Sequence, residues 1–499
     1  MNSKYILSFA VAGSLIIAGC KKDFLETKPT QFVSAQQLVA ASNQDPGLLN
    51  GNIAGLYTTM YTPGVGGTTR HDDFGQKGID IFTDMIASDM VLGALNYGWY
   101  EPVARLQATV DFTRNEDYIP WRYYYRQIFG ANTVIDALGG TDTQPTDETK
   151  RYTMGQAKAM RAYAYFYLSQ LYAKEYGDGN AKILPIYTNT QVANQPKSTA
   201  KQVWDLMVSD LTQAITLLEG YTKISKDQVD QDVAKGLLAY VLGARGTQAD
   251  WTQVTTLTQD IMNAYPVTDS TRAVFDGTNA TTAGFNNVNT PSWMWGVDLT
   301  VAQDIDLVSW WGQVDYFTYS YAWAGDPKFI DRSLFNAIRA DDVRKKQFVQ
   351  VGTSGNNLQP RNKFFDPGRK AGGQRTVTTD LVYMRADEFY LLNAEANARI
   401  GQETKAKQAL TKLLSQRITD LSYLNNLSGK ALLDEIYLQT RIELWGEGKS
   451  YLAMKRNKAT ITRGPNHLFL AGEPIPYNDD RLTFVIPQAE VLNNPVLNQ

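Results

Sequence analysis

Apolar residues recur at helical spacing along most of the chain. Between Ala200 and Leu218 they fall at every third or fourth position, which places them on one face of a helix. Similar runs predict helices over residues 35–60, 79–92, 118–138, 150–176, 200–218, 228–244, 251–264, 331–340, 383–400, 403–417 and 430–447. The pattern therefore predicts a mainly α protein, with its helices arranged in consecutive pairs.

One of these pairs is similar to a tetratricopeptide repeat. Within residues 391–414, Ala394, Asn397, Ala406 and Leu410 lie near the positions where such a repeat requires small, packing, small and large residues. Small residues allow the two helices of a repeat to approach closely. Because the match is degenerate, ordinary packing of a helical hairpin is the alternative. We expect a scaffold of tetratricopeptide-like helix pairs.

The helical pattern fades between about residues 266 and 326, where Gly, Asn, Thr and aromatic residues dominate. Alternate side chains of an extended segment share one face. Two aromatic stripes are therefore predicted, Trp293-Trp295 and Phe317-Tyr319-Tyr321-Trp323. Either stripe could pack in the core or face a ligand. Trp310 and Trp311 are adjacent, so on a strand one of them would face outward.

The first twenty residues have the layout of a bacterial lipoprotein signal. Lys4 precedes an apolar stretch over residues 5–18, and small residues precede Cys20, the only cysteine. An uncleaved membrane helix, the alternative, would need about 20 apolar residues. We expect residues 1–19 to be removed, Cys20 to be acylated, residues 20–30 to form a tether and residues 20–499 to form a single domain.

Composition and charge exclude several classes of function. The formal net charge of −3 gives no electrostatic basis for binding nucleic acid. The two histidines, His71 and His467, form no paired metal motif, and no cofactor or metal is expected. Carboxylates are abundant, so the sequence leaves open a glycosidase, which needs two carboxyl groups about 5–9.5 Å apart.

Short motifs, in a fixed order, resemble the SusD/RagB family of outer-membrane lipoproteins of Bacteroidetes. They are CKKDFL (residues 20–25), IASD (86–89), RAYAYF (161–166), ILP (183–185), YMRADE (383–388), LLNAEA (391–396), RIELWGEG (441–448) and FVIP (484–487). The chain departs from the family after the last glycine of RIELWGEG, because residues 449–455 lack the Arg and Asp that are frequent there.

The resemblance implies a SusD-like α-α superhelix that supports a loop-rich, ligand-binding face. It implies a lipid-anchored protein of the outer membrane that faces the cell exterior, captures oligosaccharides without cleaving them, and acts as a lid over a SusC-like TonB-dependent transporter. A peptide-capturing, RagB-like lid is the alternative, followed by a glycosidase. The regions that match the family's sugar-binding arc contain the expected ligand contacts: Asn96, Trp99, Tyr100, Trp293, Trp310, Trp311, Tyr319 and Trp323.

Overall fold

The computed structural model describes residues 47–499. The signal peptide (1–19), the acylated Cys20 and the tether (20–30) lie outside the described residues, as does the first part of the helix predicted over residues 35–60. Among the described residues, no helix combines the length and the apolar character that crossing a bilayer requires.

Helices dominate the described part of the chain. In order they are α1 (Leu48–Thr58), α2 (Gln76–Ile86), α3 (Glu101–Ala104), α4 (Asn115–Ala137), α5 (Glu148–Tyr172), α6 (Ala200–Leu217), α7 (Gln231–Arg245), α8 (Gln248–Ala264), α9 (Ser270–Ala273), α10 (Trp310–Val314), α11 (Tyr321–Ala324), α12 (Arg332–Ala337), α13 (Ala386–Arg399), α14 (Glu403–Leu414), α15 (Gly429–Glu443), α16 (Ser450–Arg456) and α17 (Gln488–Asn493). Together with short 3-10 turns, these helices make up about 47% of residues 47–499, which confirms the predicted mainly α class.

The strands are short, and each pairs with a single antiparallel partner. They are β1 (Met90–Leu92), β2 (Lys182–Pro185), β3 (Lys197–Thr199), β4 (Trp293–Val297), β5 (Lys328–Ile330), β6 (Val349–Gln350), β7 (Leu358–Gln359), β8 (Leu381–Arg385), β9 (Thr460–Thr462) and β10 (Pro474–Pro476). The pairs are β1–β5, β2–β3, β4–β8, β6–β7 and β9–β10. Two of the pairs, β1–β5 and β4–β8, join segments that are far apart in the chain, whereas the other three join neighbouring segments.

The long helices pack in sequence to form one array. Helices α4 to α8 each contact the next, α8 then packs on α13, and α13 packs on α14 and α15. The chain therefore leaves the array after Ala264 and returns to it at Ala386. The intervening stretch includes the predicted aromatic-rich region, about 266–326, which carries only short elements. Consecutive antiparallel helices of this kind form the tetratricopeptide-like scaffold that the sequence predicts.

Small residues allow close packing where the helices cross. A Cβ atom on Gly155 of α5 would lie 2.8 Å from the Leu218 side chain, which follows α6. In α13 and α14, Ala394, Ala406 and Leu410 are completely buried. The small and large positions identified in the sequence are therefore the contact positions of this helix pair.

A cluster of buried charges joins the C-terminal helices to the strand pair β4–β8. The carboxylate of Glu443 accepts hydrogen bonds from Arg344 (3.0 Å), Arg385 (2.9 Å) and Arg417 (2.9 and 3.0 Å). Burial raises the pKa of Glu443, but Arg417 and Arg385 outweigh burial and hold this pKa well below its usual range. Arg385 also binds Glu447, at 2.8 and 2.9 Å. A buried charge is tolerated when it is paired as completely as this.

Two of the motifs that carry the family resemblance meet at this cluster, and a third contacts one of them. Arg385 belongs to YMRADE, whereas Glu443 and Glu447 belong to RIELWGEG. Asp89, from IASD, forms an ion pair with Arg441 at 2.5 Å. The buried position of these residues indicates that the motifs specify the fold.

Candidate functional site

Four of the eight predicted ligand contacts are buried. Tyr100, Trp293, Trp310 and Trp311 expose at most 1% of their surface. Their rings are covered by other parts of the protein, so no ligand can stack on them. The prediction that these four residues contact a ligand is therefore wrong.

Trp310 and Trp311 begin the short helix α10, although the sequence suggested a strand. Ser309 caps this helix, because its hydroxyl accepts a hydrogen bond from the backbone N–H of Gly312 at 3.1 Å. Adjacent residues of a helix point only about 100° apart. Both rings therefore turn inward, and Trp310 packs edge-on against Trp311 and Phe364 with ring centroids 5.0 and 4.6 Å apart.

Trp293 lies on β4, in the extended conformation that the sequence predicts. All five residues of this strand are buried, because β8 pairs along it and other side chains cover both faces. In a strand that is buried on both faces, alternation does not distinguish an exposed side from a buried one. This is why the Trp293-Trp295 stripe faces no ligand.

The other four predicted contacts are at least partly exposed, and the fold brings them together. Asn96 and Trp99 lie in the loop between β1 and α3, whereas Tyr319 and Trp323 lie at α11, more than 200 residues later in the chain. Tyr319 exposes 36% of its surface and Trp323 exposes 41%. The pairing of β1 with β5 brings the two segments side by side.

Asp326, which follows α11, binds the loop between β1 and α3. Its carboxylate accepts hydrogen bonds from the backbone N–H groups of Asn96 and Tyr97, both at 2.7 Å. The side-chain amide of Asn96 donates to the carbonyl of Gly325 at 2.9 Å. Asn96 is therefore engaged within the protein, and one of its roles is to hold the loop that carries Tyr97 and Trp99.

Trp99 belongs to a packed group of rings. The imidazole of His71 stacks on Trp99 with centroids 5.0 Å apart and planes 5° apart, and His71 Nδ1 is hydrogen-bonded to the Tyr321 hydroxyl at 2.6 Å. Tyr97, which is 53% exposed, packs edge-on against Tyr321 at 5.0 Å. The guanidinium of Arg70 lies 5.2 Å from the Trp99 ring centroid. These contacts fix the orientation of Trp99.

Trp323 and Tyr319 form a second group beside the first. Their ring centroids are 5.6 Å apart. The guanidinium of Arg375 lies 4.2 Å from the centroid of the Tyr319 ring. Trp323 packs on the backbone of Gly372, where a Cβ atom would lie 2.6 Å from the indole. A glycine is therefore required beneath the ring. We call Tyr97, Trp99, Tyr319, Tyr321 and Trp323 together the aromatic surface.

Buried polar groups support the aromatic surface from below. The Gln313 side chain donates to the carbonyl of His71 at 2.8 Å and accepts from the Lys328 ammonium at 2.9 Å. Burial lowers the pKa of Lys328 to about 7. The Ser320 hydroxyl accepts from the backbone N–H of Trp323 at 3.0 Å and caps α11. The exposed rings therefore rest on fixed supports, as a preorganised site requires.

Sequence reasoning missed three residues of this site. Tyr97 could have been predicted from the sequence, because it lies between two predicted ligand contacts, Asn96 and Trp99, in the same loop. Tyr321 belongs to an aromatic stripe that the sequence predicts, but its contact with His71, 250 residues earlier in the chain, gave no local signal, and neither did His71 itself. Their contact follows from the tertiary structure alone.

The aromatic surface provides flat rings bordered by polar groups, which suits a ligand with apolar faces and many hydroxyls. Residues 47–499 contain no group of three or more His, Cys, Asp or Glu side chains that could hold a metal ion. The arrangement of the site favours binding through ring contacts and hydrogen bonds.

Comparison with known proteins gives consistent matches. A family model described as SusD-like, "Starch-binding associating with outer membrane", matches residues 82–241, and a model described as "SusD family" matches residues 352–499. A SusD-like protein, P38, from Formosa agariphila is 24% identical over an alignment 437 positions long, which covers 77% of this chain and 79% of that protein.

Solved structures share the fold. A SusD-like carbohydrate binding protein from Bacteroides vulgatus superposes with a TM-score of 0.74 at 23% identity, covering 91% of this chain and 97% of that one. Surface glycan-binding protein A from Bacteroides thetaiotaomicron, solved in complex with laminarihexaose, gives a TM-score of 0.63 at 16% identity, covering 89% and 96%.

Proposed function

This chain belongs to the SusD/RagB family, and from that premise we propose that it is a cell-surface lipoprotein that captures oligosaccharides and passes them to a SusC-like TonB-dependent transporter. In this proposal Cys20 carries the lipid anchor at the outer membrane. The folded body covers the transporter as a lid, and it binds the glycan without cleaving it.

The observation that carries the proposal is the aromatic surface. Tyr97, Trp99, Tyr319 and Trp323 all expose part of their rings on one patch, and each ring is held by packing on its other side. Rings held in place lose little conformational entropy when a ligand binds. The CH face of a sugar ring stacks on such a surface, while polar groups at its border bind the hydroxyls.

The proposed partner and location rest on the family. The model that matches residues 82–241 is described as associating with the outer membrane, and a structural neighbour is described as a surface glycan-binding protein. A lid must hold its ligand without trapping it, which agrees with a partly open surface.

Calorimetry with the purified chain, residues 21–499, tests the proposal. Affinity gels over a panel of polysaccharides select a ligand, and oligosaccharides of that glycan are then titrated. We expect micromolar or weaker binding, and Trp323→Ala should weaken it about tenfold or more because stacking on an aromatic ring is lost. Phe112→Ala is the matched control, because Phe112 is also 41% exposed but lies outside the aromatic surface.

The proposal fails if no glycan binds while peptides do, which would favour the RagB-like alternative. It also fails in its non-catalytic part if incubation releases shorter sugars. Copurification with a SusC-like transporter checks the partner, and metabolic labelling with a radioactive fatty acid, lost in Cys20→Ser, checks the anchor.

A further inference from the structure

A second concave site lies on the outer face of α4, away from the aromatic surface. Its cavity has a volume of about 540 Å³ and lies between α4, the segment after β2 and the C-terminal helix α17. Ligand-binding clefts have volumes of about 300–1,000 Å³. We call this cleft the α4 groove.

Side chains from one face of α4 line the groove. Arg122 and Arg126 are four residues apart, as are Tyr125 and Phe129, and the two pairs are offset by three residues, so all four lie on one face of α4. That face points away from the core: Arg122 and Arg126 are exposed, and Phe129 exposes 61% of its surface. Phe129 is thus an exposed apolar side chain, flanked by two guanidinium groups, at the edge of a concave surface.

The floor of the groove is aromatic. Trp121 packs on Tyr125 with ring centroids 4.7 Å apart, and Tyr125 packs edge-on against Tyr187 at 5.9 Å. The Tyr125 hydroxyl donates to the carbonyl of Pro185 at 2.9 Å, which fixes the ring. The floor therefore offers two half-buried rings, Tyr125 and Tyr187, which are held in place and rest against the buried Trp121.

The groove also carries unpaired positive charge. Within residues 47–499, neither Arg122 nor Arg126 has a hydrogen-bond or ion-pair partner. Among the described residues, the one acid on the wall, Glu490, forms no ion pair with either arginine, and its carboxylate accepts from the Trp121 indole N–H (3.3 Å) and the Asn494 amide (2.8 Å), so the two arginines leave the groove with a net positive charge. Two free guanidinium groups suit carboxylate or sulfate groups, which they bind through paired N–H donors.

We propose that the α4 groove is a second glycan-binding site, for a chain that carries carboxylate or sulfate groups. The choice of a glycan rests on the proposed function, whereas the preference for an anionic chain rests on the two arginines. The concave shape and the aromatic floor favour an oligosaccharide over the broad face of a protein partner.

Contacts at the start of α4 link the helix that carries the groove to the aromatic surface. Arg70, which lies over Trp99, forms an ion pair with Glu116 in the first turn of α4 at 2.5 Å. A polar cavity of about 500 Å³ lies between the Arg70 side and the start of α4. From Glu116 to Phe129 the helix rises about 20 Å. The α4 groove is therefore a site separate from the aromatic surface.

Titration with oligosaccharides that differ in charge tests the inference. The probes are oligogalacturonate, its neutral methyl ester and a sulfated carrageenan oligosaccharide. We expect at least one anionic probe to bind about tenfold tighter than the ester and to weaken as salt is raised. Arg122→Gln/Arg126→Gln should remove most of this preference, and Phe129→Ala should weaken binding of the anionic probe and of the ester alike. The carboxylate and sulfate probes separate the two sources of charge.

Matched variants keep the test specific. Lys346→Gln/Lys412→Gln removes two exposed positive charges from other elements and should leave anionic binding unchanged. Trp323→Ala should leave binding at the groove intact, so a failure of the aromatic surface is distinguishable from a failure of the groove.

The inference is overturned if neither anionic probe binds tighter than the ester, or if both double variants lose affinity equally. Loss of transporter copurification in Arg122→Gln/Arg126→Gln, with unchanged glycan affinity, would instead assign the groove to a protein partner.

Discussion

The buried region around β4 and β8 and the aromatic surface use similar residues in opposite ways. In the buried region Trp293 lies opposite Arg385 in the strand register, and Arg385 is bound by Glu443. Every face of these side chains is occupied. In the aromatic surface, rings such as Trp323 pack on one side and are exposed on the other.

The difference indicates what each region contributes. A side chain that is covered on all sides contributes to stability, because its removal leaves a cavity or an unpaired charge. A ring that is covered on one side contributes little to stability, and its free face remains available to a ligand. Substitutions in the two regions should therefore affect different measurements.

Removal of the charge at the centre of the buried region should have the largest effect. Glu443→Gln leaves Arg344, Arg385 and Arg417 without their shared carboxylate, so we expect the free energy of unfolding to fall by about 3–5 kcal/mol. Denaturant unfolding measures it. Glu219→Gln, at an exposed acid, is the control and should change stability by less than about 0.5 kcal/mol. A loss in Glu443→Gln as small as in the control would contradict the role of the cluster.

Two tryptophan substitutions compare the regions directly. Trp311→Ala should reduce the free energy of unfolding by about 3–5 kcal/mol, because it opens a cavity in the core. Trp323→Ala should reduce it by far less and should act on glycan affinity instead. Thermal unfolding and calorimetry of both variants check this contrast, which fails if the two variants lose equal stability.

The pKa of Asp117, another buried carboxylate, is shifted in the opposite direction to the pKa of Glu443. The stability of the protein should therefore depend on pH in the opposite sense at these two residues. Within the described residues Asp117 has no hydrogen bond to either carboxylate oxygen, and burial, assisted by Asp111, raises its pKa to about 9. Between about pH 4 and pH 9 the unfolded chain has lost a proton that the folded chain keeps. The free energy of unfolding should therefore fall as the pH rises, by up to about 1.4 kcal/mol per pH unit from this group.

Asp117→Asn isolates the effect of that group. The amide has nearly the shape of the protonated carboxyl but does not titrate, so the variant should gain stability over the parent chain progressively from pH 5 to pH 9. Urea unfolding at several pH values provides the measurement. A constant difference between variant and parent across this range would show that Asp117 ionises normally in the folded protein.

The smallest effect is expected at the border of the aromatic surface. Arg375→Gln removes a guanidinium that stacks on Tyr319, a contact worth about 0.5–1 kcal/mol at an exposed site. We expect a loss of glycan affinity of a few fold with stability unchanged. Calorimetry beside Lys346→Gln distinguishes this from a general effect of charge, and an equal loss in both variants would exclude a role for the stacking.

Local pattern was sufficient to predict the helical array. The helix predicted over residues 200–218 is α6, Ala200–Leu217, and the one predicted over residues 403–417 is α14, Glu403–Leu414. Helical periodicity depends on neighbours three and four positions away, which the sequence contains directly. Thr199 and Gln202, which form the capping box of α6, are an equally local signal.

The sequence by itself thus determined the helical class, the family resemblance and the two stretches of chain in which the partly exposed rings lie. Only the tertiary structure decided which rings are exposed. Trp293 is covered because β8, almost 90 residues later, pairs with its strand, whereas Trp323 stays open because Gly372 lies beneath it and covers one face only. Exposure depends on what packs against a residue from distant parts of the chain, and no local pattern contains that information.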